Sequence, residues 1–375
     1  MDNPGHSSFA EPPDEDSIYS KTVVLAKDGD LLIKVKDENY GIDTFLVDSS
    51  TVSRSFVRWK ELMPAHRDVS GHYVIELSGD FNHYETVLAI THDRYDKVNQ
   101  PHDIRALFYL VQFTEEHQVT YLLQPWAHIW LEAHSECLDR YEWSVHQTLE
   151  TMLVRLWTAW MFGHREIFLW LTELLVKETF VDKKSQLVYG GAYVNNGPEK
   201  FNILEIPGLL NYVKREQKEK MQELRSAFNE FLESDYGQVC TLTNRPEPEQ
   251  RMCEATIVGS LFIGHRKVSD LIKSVEAENS IGGLFRAMWA IPIQNLPAMP
   301  DDSTSMDRLP KNDTPPPRHS HDCCNPRYSL RERLDEVVSS IVTVLDKDLE
   351  RRLHRQSRLF GGVNAGIMDW EDGSG

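Results

Sequence analysis

Two periodicities divide this chain, and the longer-running one constrains the fold most. From Glu142 onward the apolar residues recur at helical spacing: Leu149, Met152, Leu153, Leu156, Trp157, Trp160 and Met161 fall on one broad stripe that Gly163 ends. A stripe of that width must face a core, so it predicts a buried helix. Pro207 opens a longer segment in which Leu210, Val213, Met221, Leu224, Phe228 and Phe231 share a face while Lys214, Arg215, Glu216, Lys218, Glu219 and Lys220 solvate the other. Further helices are expected around Ile257 to Val275 and Ile281 to Trp289, which makes residues 140–290 an all-helical domain.

The first third follows a different period. After the turn signal Asp28-Gly29-Asp30, Leu31, Ile33 and Val35 alternate with Leu32, Lys34 and Lys36, as in a half-buried strand. Gly41 to Val47 supplies a second strand, and Tyr73, Ile75 and Leu77 mark a third. Asp48, Ser49 and Ser50 are caps for a short helix with Val52, Phe56 and Trp59 on one face. Helical spacing returns at Tyr84, Val87 and Leu88, again at Ile104, Leu107, Phe108 and Val111 with Pro101 in the first turn, and over Tyr121 to Leu131.

Composition sets the remaining boundaries. Residues 1–20 carry five acidic residues, no Lys or Arg, and three prolines, which predicts a disordered acidic tail. Residues 291–327 hold eight of the eighteen prolines and read as a proline-rich linker. Beyond it Ser329 and Glu332 form a capping box for a terminal helix over 328–353, with Leu334, Val338, Ile341, Leu345 and Leu349 as its seam, and 354–375 is expected to be a flexible tail. The layout is thus an α+β domain over 21–135, of which residues 22–135 are expected to fold alone, then the helical domain, linker and helix.

Function classes can be excluded on charge and on absent motifs. Forty basic against fifty-eight acidic side chains, a net charge of −18, speaks against a nucleic-acid partner. No apolar run approaches the roughly 18 residues of a membrane span, and neither a secretion signal nor a disulfide framework is visible, so an intracellular protein, cytoplasmic or nuclear, is expected. The phosphate loop, the dinucleotide fingerprint, the His-Glu-x-x-His helix and the Gly-x-Ser-x-Gly elbow are all missing. No catalytic residue, cofactor or metal is assigned.

Two clusters still merit weighing. Cys240, Cys253, His319, His321, Cys323 and Cys324 have side chains that suit zinc. The twelve residues between Cys240 and Cys253 are not a finger's close pair, however, and the other ligands lie across the proline-rich linker, which would have to fold back. Ordinary thiols are the expectation. Most of the nine tryptophans, Trp126, Trp130, Trp143, Trp157, Trp160 and Trp170 among them, lie on or beside helix stripes and are expected in the core.

Asp30-Leu31-Leu32-Ile33-Lys34-Val35, the capped Val47 to Phe56 stretch, Tyr73-Val74-Ile75-Glu76-Leu77 and the helical Leu107 to Trp130 region, in the order strand, strand, helix, strand and three helices, are similar to a BTB/POZ domain. The resemblance is to fungal BTB proteins with a helical C-terminal extension. It covers roughly residues 25–133 in the domain. Ser53-Arg54-Ser55-Phe56 lacks the proline usual before the aromatic residue, and Met63 to Arg67 replaces the usual acidic loop. The resemblance implies a scaffold or adaptor that acts through protein partners or a second copy of itself, without catalysis of its own. The Trp59-Lys60-Glu61 triplet resembles the contact some members offer to a cullin scaffold, which makes a ubiquitin-ligase adaptor the alternative and Phe56, Trp59 and Glu61 the candidate partner-binding residues. Core packing of Trp59 is the reading favoured over it, because a large aromatic on a helix packed over strands is buried more often than not. A helical-domain enzyme with scattered His and carboxylate groups is the third.

Overall fold

A computed structural model of the chain describes residues 21–37, 41–63, 66–134, 148–182, 184–189, 192–193, 206–234, 240–242, 246–274, 280–294, 324–341 and 345–359. The architecture is mixed α and β and mostly helical. The chain divides into two compact units: Met1–Val145 with Met161–His164 and Arg355–Gly375, and His146–Trp160 with Arg165–His354. The fragment 22–135 therefore omits two later segments that belong with the first unit. The expected tail over 1–20 and most of the expected linker lie outside the described residues.

The first unit is built on a four-stranded sheet in the order β1 (Thr22–Val24), β3 (Gly41–Val47), β2 (Leu31–Asp37), β4 (Tyr73–Ser78). β2 runs antiparallel to β3 and parallel to β4, while β1 lies parallel to β3 on the far edge. The alternation sends Leu31, Ile33 and Val35 into the core, with Phe45 and Val47 beside them from β3. Gly29 is required by close approach: a Cβ there would sit 2.7 Å from the Val47 carbonyl oxygen. β1 was invisible to the periodicity because three residues are too few to alternate.

Asp48 caps α1 (Ser49–Ser55), its carboxylate accepting from the Thr51 N–H at 2.7 Å. Hydrogen bonds from the Ser50 and Thr51 side chains, and that N–H, hold the Asp48 carboxyl down at about 2. The expected single helix through Trp59 does not form. Phe56 breaks it at φ −105° and ψ 84°, and the chain re-enters as a 3-10 turn, Val57–Leu62. Thr51, Val52, Ser53, Ser55 and Val57 are weak helix formers, and the break lets both Phe56 and Trp59 turn inward. Helices α2 (Phe81–Thr91), α3 (Ile104–Glu116) and α4 (Ala127–Ala133) complete the unit, α3 being capped by Asp103 rather than opened by Pro101. Phe81 stacks on Phe45 at 4.5 Å.

In the second unit α5 (Leu149–Met161) and α6 (Arg165–Glu178) precede a small antiparallel sheet of β5 (Thr179–Val181), β6 (Leu187–Tyr189) and β7 (Ala192–Tyr193). This corrects the expectation of a wholly helical region. The strands are two or three residues long, below what a period can register, and the turn between β5 and β6 is made by the Asp182 carboxylate accepting from the Lys184 and Gln186 N–H groups at 2.9 and 2.7 Å. The sheet is tied to α7 (Leu209–Ser234) by the buried Gln217 amide donating to the Thr179 carbonyl.

Helix α8 (Glu247–Ser274) starts ten residues before the first expected apolar position, Ile257, with Pro248 tolerated in its first turn. Short α9 (Ile281–Trp289) touches α6, α7, α8 and α10 (Arg327–Ser339) and so lies at the centre of the helical packing. The expected terminal helix is two helices. α10 is opened by the Asn325 side chain, which accepts from the Arg327 N–H at 2.9 Å, so Ser329 lies inside it rather than at its cap. α11 (Lys347–Leu359) starts afresh with the Asp346 carboxylate accepting from the Leu349 N–H at 2.9 Å, and it runs past the expected boundary at 353. Among the described residues no helix is long and apolar enough to cross a membrane.

Candidate functional site

Of the candidate partner-binding residues, Phe56 and Trp59 lie in the core of the first unit and not at its rim. Phe56 is 0% and Trp59 2% exposed. The rings stack at 3.9 Å, Tyr84 lies 6.0 Å from the indole, and His117 meets it edge-on. Stacking of two buried rings adds to the burial itself. The indole N–H donates to His117 Nδ1 at 3.2 Å, which requires the neutral imidazole, because a protonated ring has no acceptor.

Burial lowers the His117 pKa, opposed by Glu116 and assisted by Arg58, and burial likewise lowers His83, with Asp80 opposing. A histidine held below its ordinary value binds fewer protons folded than unfolded. Its contribution is therefore complete above about pH 6.5 and is lost as pH falls through the lowered folded value. The melting temperature should be lower near pH 5 than near pH 7.5, and His117→Gln, which keeps an acceptor without titrating, should flatten part of that slope. Identical slopes in the two proteins would remove His117 from the account.

Glu61 is exposed, as the triplet resemblance requires, but its neighbour Trp59 is not. The apolar surface beside Glu61 comes instead from Val57, 66% exposed, and Leu62, 50% exposed, on the same 3-10 turn, with Arg58 and Lys60 around them. The sequence carried no signal for this exchange, since helical spacing assigns Trp59 to the edge of the buried face and a 3-10 turn rotates it inward.

The second unit gathers part of the other candidate set. The Sγ atoms of Cys240, Cys253 and Cys324 all lie within 4.8 Å of one another, with Cys240 and Cys324 at 3.9 Å. Cys240 precedes α8, Cys253 lies in its second turn, and Cys324 leads into α10. None of the three is in a disulfide. Burial is the main reason the Cys253 thiol is pushed up to about 12, with the sulfurs of Cys324 and Cys240 adding to it. Cys240 is raised for the same first reason, against a hydrogen bond from the Leu242 backbone N–H to its sulfur. The Thr241 hydroxyl lies 3.5 Å from the Cys324 sulfur. His319, His321 and Cys323 lie outside the described residues.

The comparisons add no family. No protein-family model, curated protein or solved structure matches the chain.

Among the described residues a His and carboxylate group does come together, but in the first unit and not in the helical domain where the enzyme reading placed it. His164 Nε2 lies 3.2 Å from Glu132 Oε1, and the His128 ring is 5.0 Å from that of His164. Glu132 is largely exposed and His164 is buried, an arrangement that pins the Met161–His164 segment to α4.

Proposed function

We propose that the chain is a non-catalytic protein-interaction protein whose first unit is a BTB/POZ-type domain. The observation that carries the reading is topological: a β2–β3 hairpin, α1 with its 3-10 turn, β4 returning parallel to β2, then α2, α3 and α4. That is the order on which the sequence resemblance rests. Because one fold hosts many roles, the interaction function itself is an analogy, supported locally by exposed Val57 and Leu62 beside Glu61. These two, with Glu61, replace Phe56 and Trp59 as the contact residues of the proposal. The cullin alternative loses its apolar anchor with Trp59 buried.

The test is capture of partners from a cell extract by the full chain and by Leu62→Asp. A partner retained by the natural sequence and reduced more than about tenfold by Leu62→Asp, at unchanged melting temperature, supports the reading, since an anchor residue is worth about 2 kcal/mol. A cullin among the proteins lost makes the chain a ligase adaptor. Equal capture by both proteins overturns the 3-10 turn as the contact.

A further inference from the structure

We propose that Cys240, Cys253 and Cys324 bind a zinc ion as thiolates, and that the ion clasps the start of α8 to the start of α10. The inference is independent of the interaction reading, because all three residues belong to the second unit.

The geometry is that of a ligand set. A tetrahedral zinc with Zn–S bonds of about 2.3 Å has sulfur-to-sulfur edges of about 3.8 Å. Cys240 and Cys324 stand at 3.9 Å, and no pair of the three sulfurs is more than 4.8 Å apart. Small rotations about the Cα–Cβ bonds close the difference. The three come from separate places in the chain, 13 and 71 positions apart, and they are three of its five cysteines. Buried cysteines are often inert apolar fillers, but fillers have no reason to converge on one another from distant segments.

The surroundings suit thiolates once a cation is present. The Leu242 N–H and the Thr241 hydroxyl lie against the sulfurs of Cys240 and Cys324, where they donate to ligand sulfur as outer-shell groups do in metal sites. Burial that disfavours a lone thiolate equally strengthens its attraction to a divalent ion. On binding, each of the three thiols releases its proton to solvent, and three negative charges face two positive ones. Soft sulfur ligands select zinc over magnesium or calcium. Cys253 is 0% and Cys324 4% exposed while Cys240 is half-buried, so three sulfurs would hold the ion between the two helix starts and leave its fourth position to water. The clasp spans a long stretch of chain, Cys240 to Cys324, where closing a loop restricts the unfolded state most.

The experiment uses the full chain, purified without a histidine tag. Elemental analysis should find about one zinc per chain, and Cys253→Ser and Cys324→Ser should each lose most of it. Because such variants can fail to fold, the natural sequence is also treated with a strong chelator: its melting temperature should fall and be restored by added zinc. X-ray absorption at the zinc edge should count at least three sulfurs around the metal. Zinc well below one per chain with melting indifferent to chelator, another metal in its place, or fewer than three sulfurs at the zinc would each overturn the site.

Discussion

Trp59→Ala is expected to destabilise the first unit by about 3–5 kcal/mol, the range for emptying a buried aromatic site. The indole is 2% exposed, and its removal opens a cavity bounded by Phe56, Tyr84 and His117. It also takes away the donor to His117 Nδ1, leaving a half-buried imidazole nitrogen to find another partner. Trp59→Phe separates the two contributions, because it keeps most of the packing and loses the hydrogen bond, and it should cost roughly 1–2 kcal/mol. Chemical denaturation of the full chain and of both variants gives the values. A loss below about 1 kcal/mol in Trp59→Ala would mean that the side chain lies at the surface, and with unchanged folding but lost partner capture the anchor reading would return.

Gly163→Ala is the second large effect. Gly163 follows the last residues of α5 with φ at +63°, a left-handed conformation that costs an ordinary residue about 1–2 kcal/mol. A Cβ at this position would also overlap the backbone of Ser357 and Gln356, in the last turns of α11. Backbone cannot swing aside as a side chain can, so the two segments must separate. The expected loss is about 3 kcal/mol or more. Gly208→Ala is the control. It has the same handedness, at φ +89°, but no heavy atom within 4 Å of the added Cβ among the described residues, and should show only the conformational penalty of about 1–2 kcal/mol. Equal losses in the two variants would show that handedness alone, and not the contact with Ser357, governs Gly163.

What the sequence determined by itself is whatever repeats within a few residues. The alternation at Leu31, Ile33 and Val35, the stripe over 149–161 and the short helix over 281–289 all appear in the structure, because burial of one face imposes a period that can be read without knowing what covers it. The cap at Asp48 was legible for the same reason, since an N-cap is a contact across three residues. The start of α10 moved from Ser329 to Arg327, after Pro326, because the Asn325 side chain accepts from the Arg327 N–H one turn earlier than the expected cap. The 3-10 turn that exposes Val57 and Leu62, the parallel edge strand β1, the β5–β7 sheet and the meeting of Cys240 and Cys253 with Cys324 were decided only by the tertiary structure. Each depends on a partner that is distant along the chain or on a turn of three residues, and neither leaves a period. The spacing that spoke against zinc measured distance along the chain, whereas a ligand set is defined by distance in space, and the fold brought Cys324 back across the proline-rich stretch.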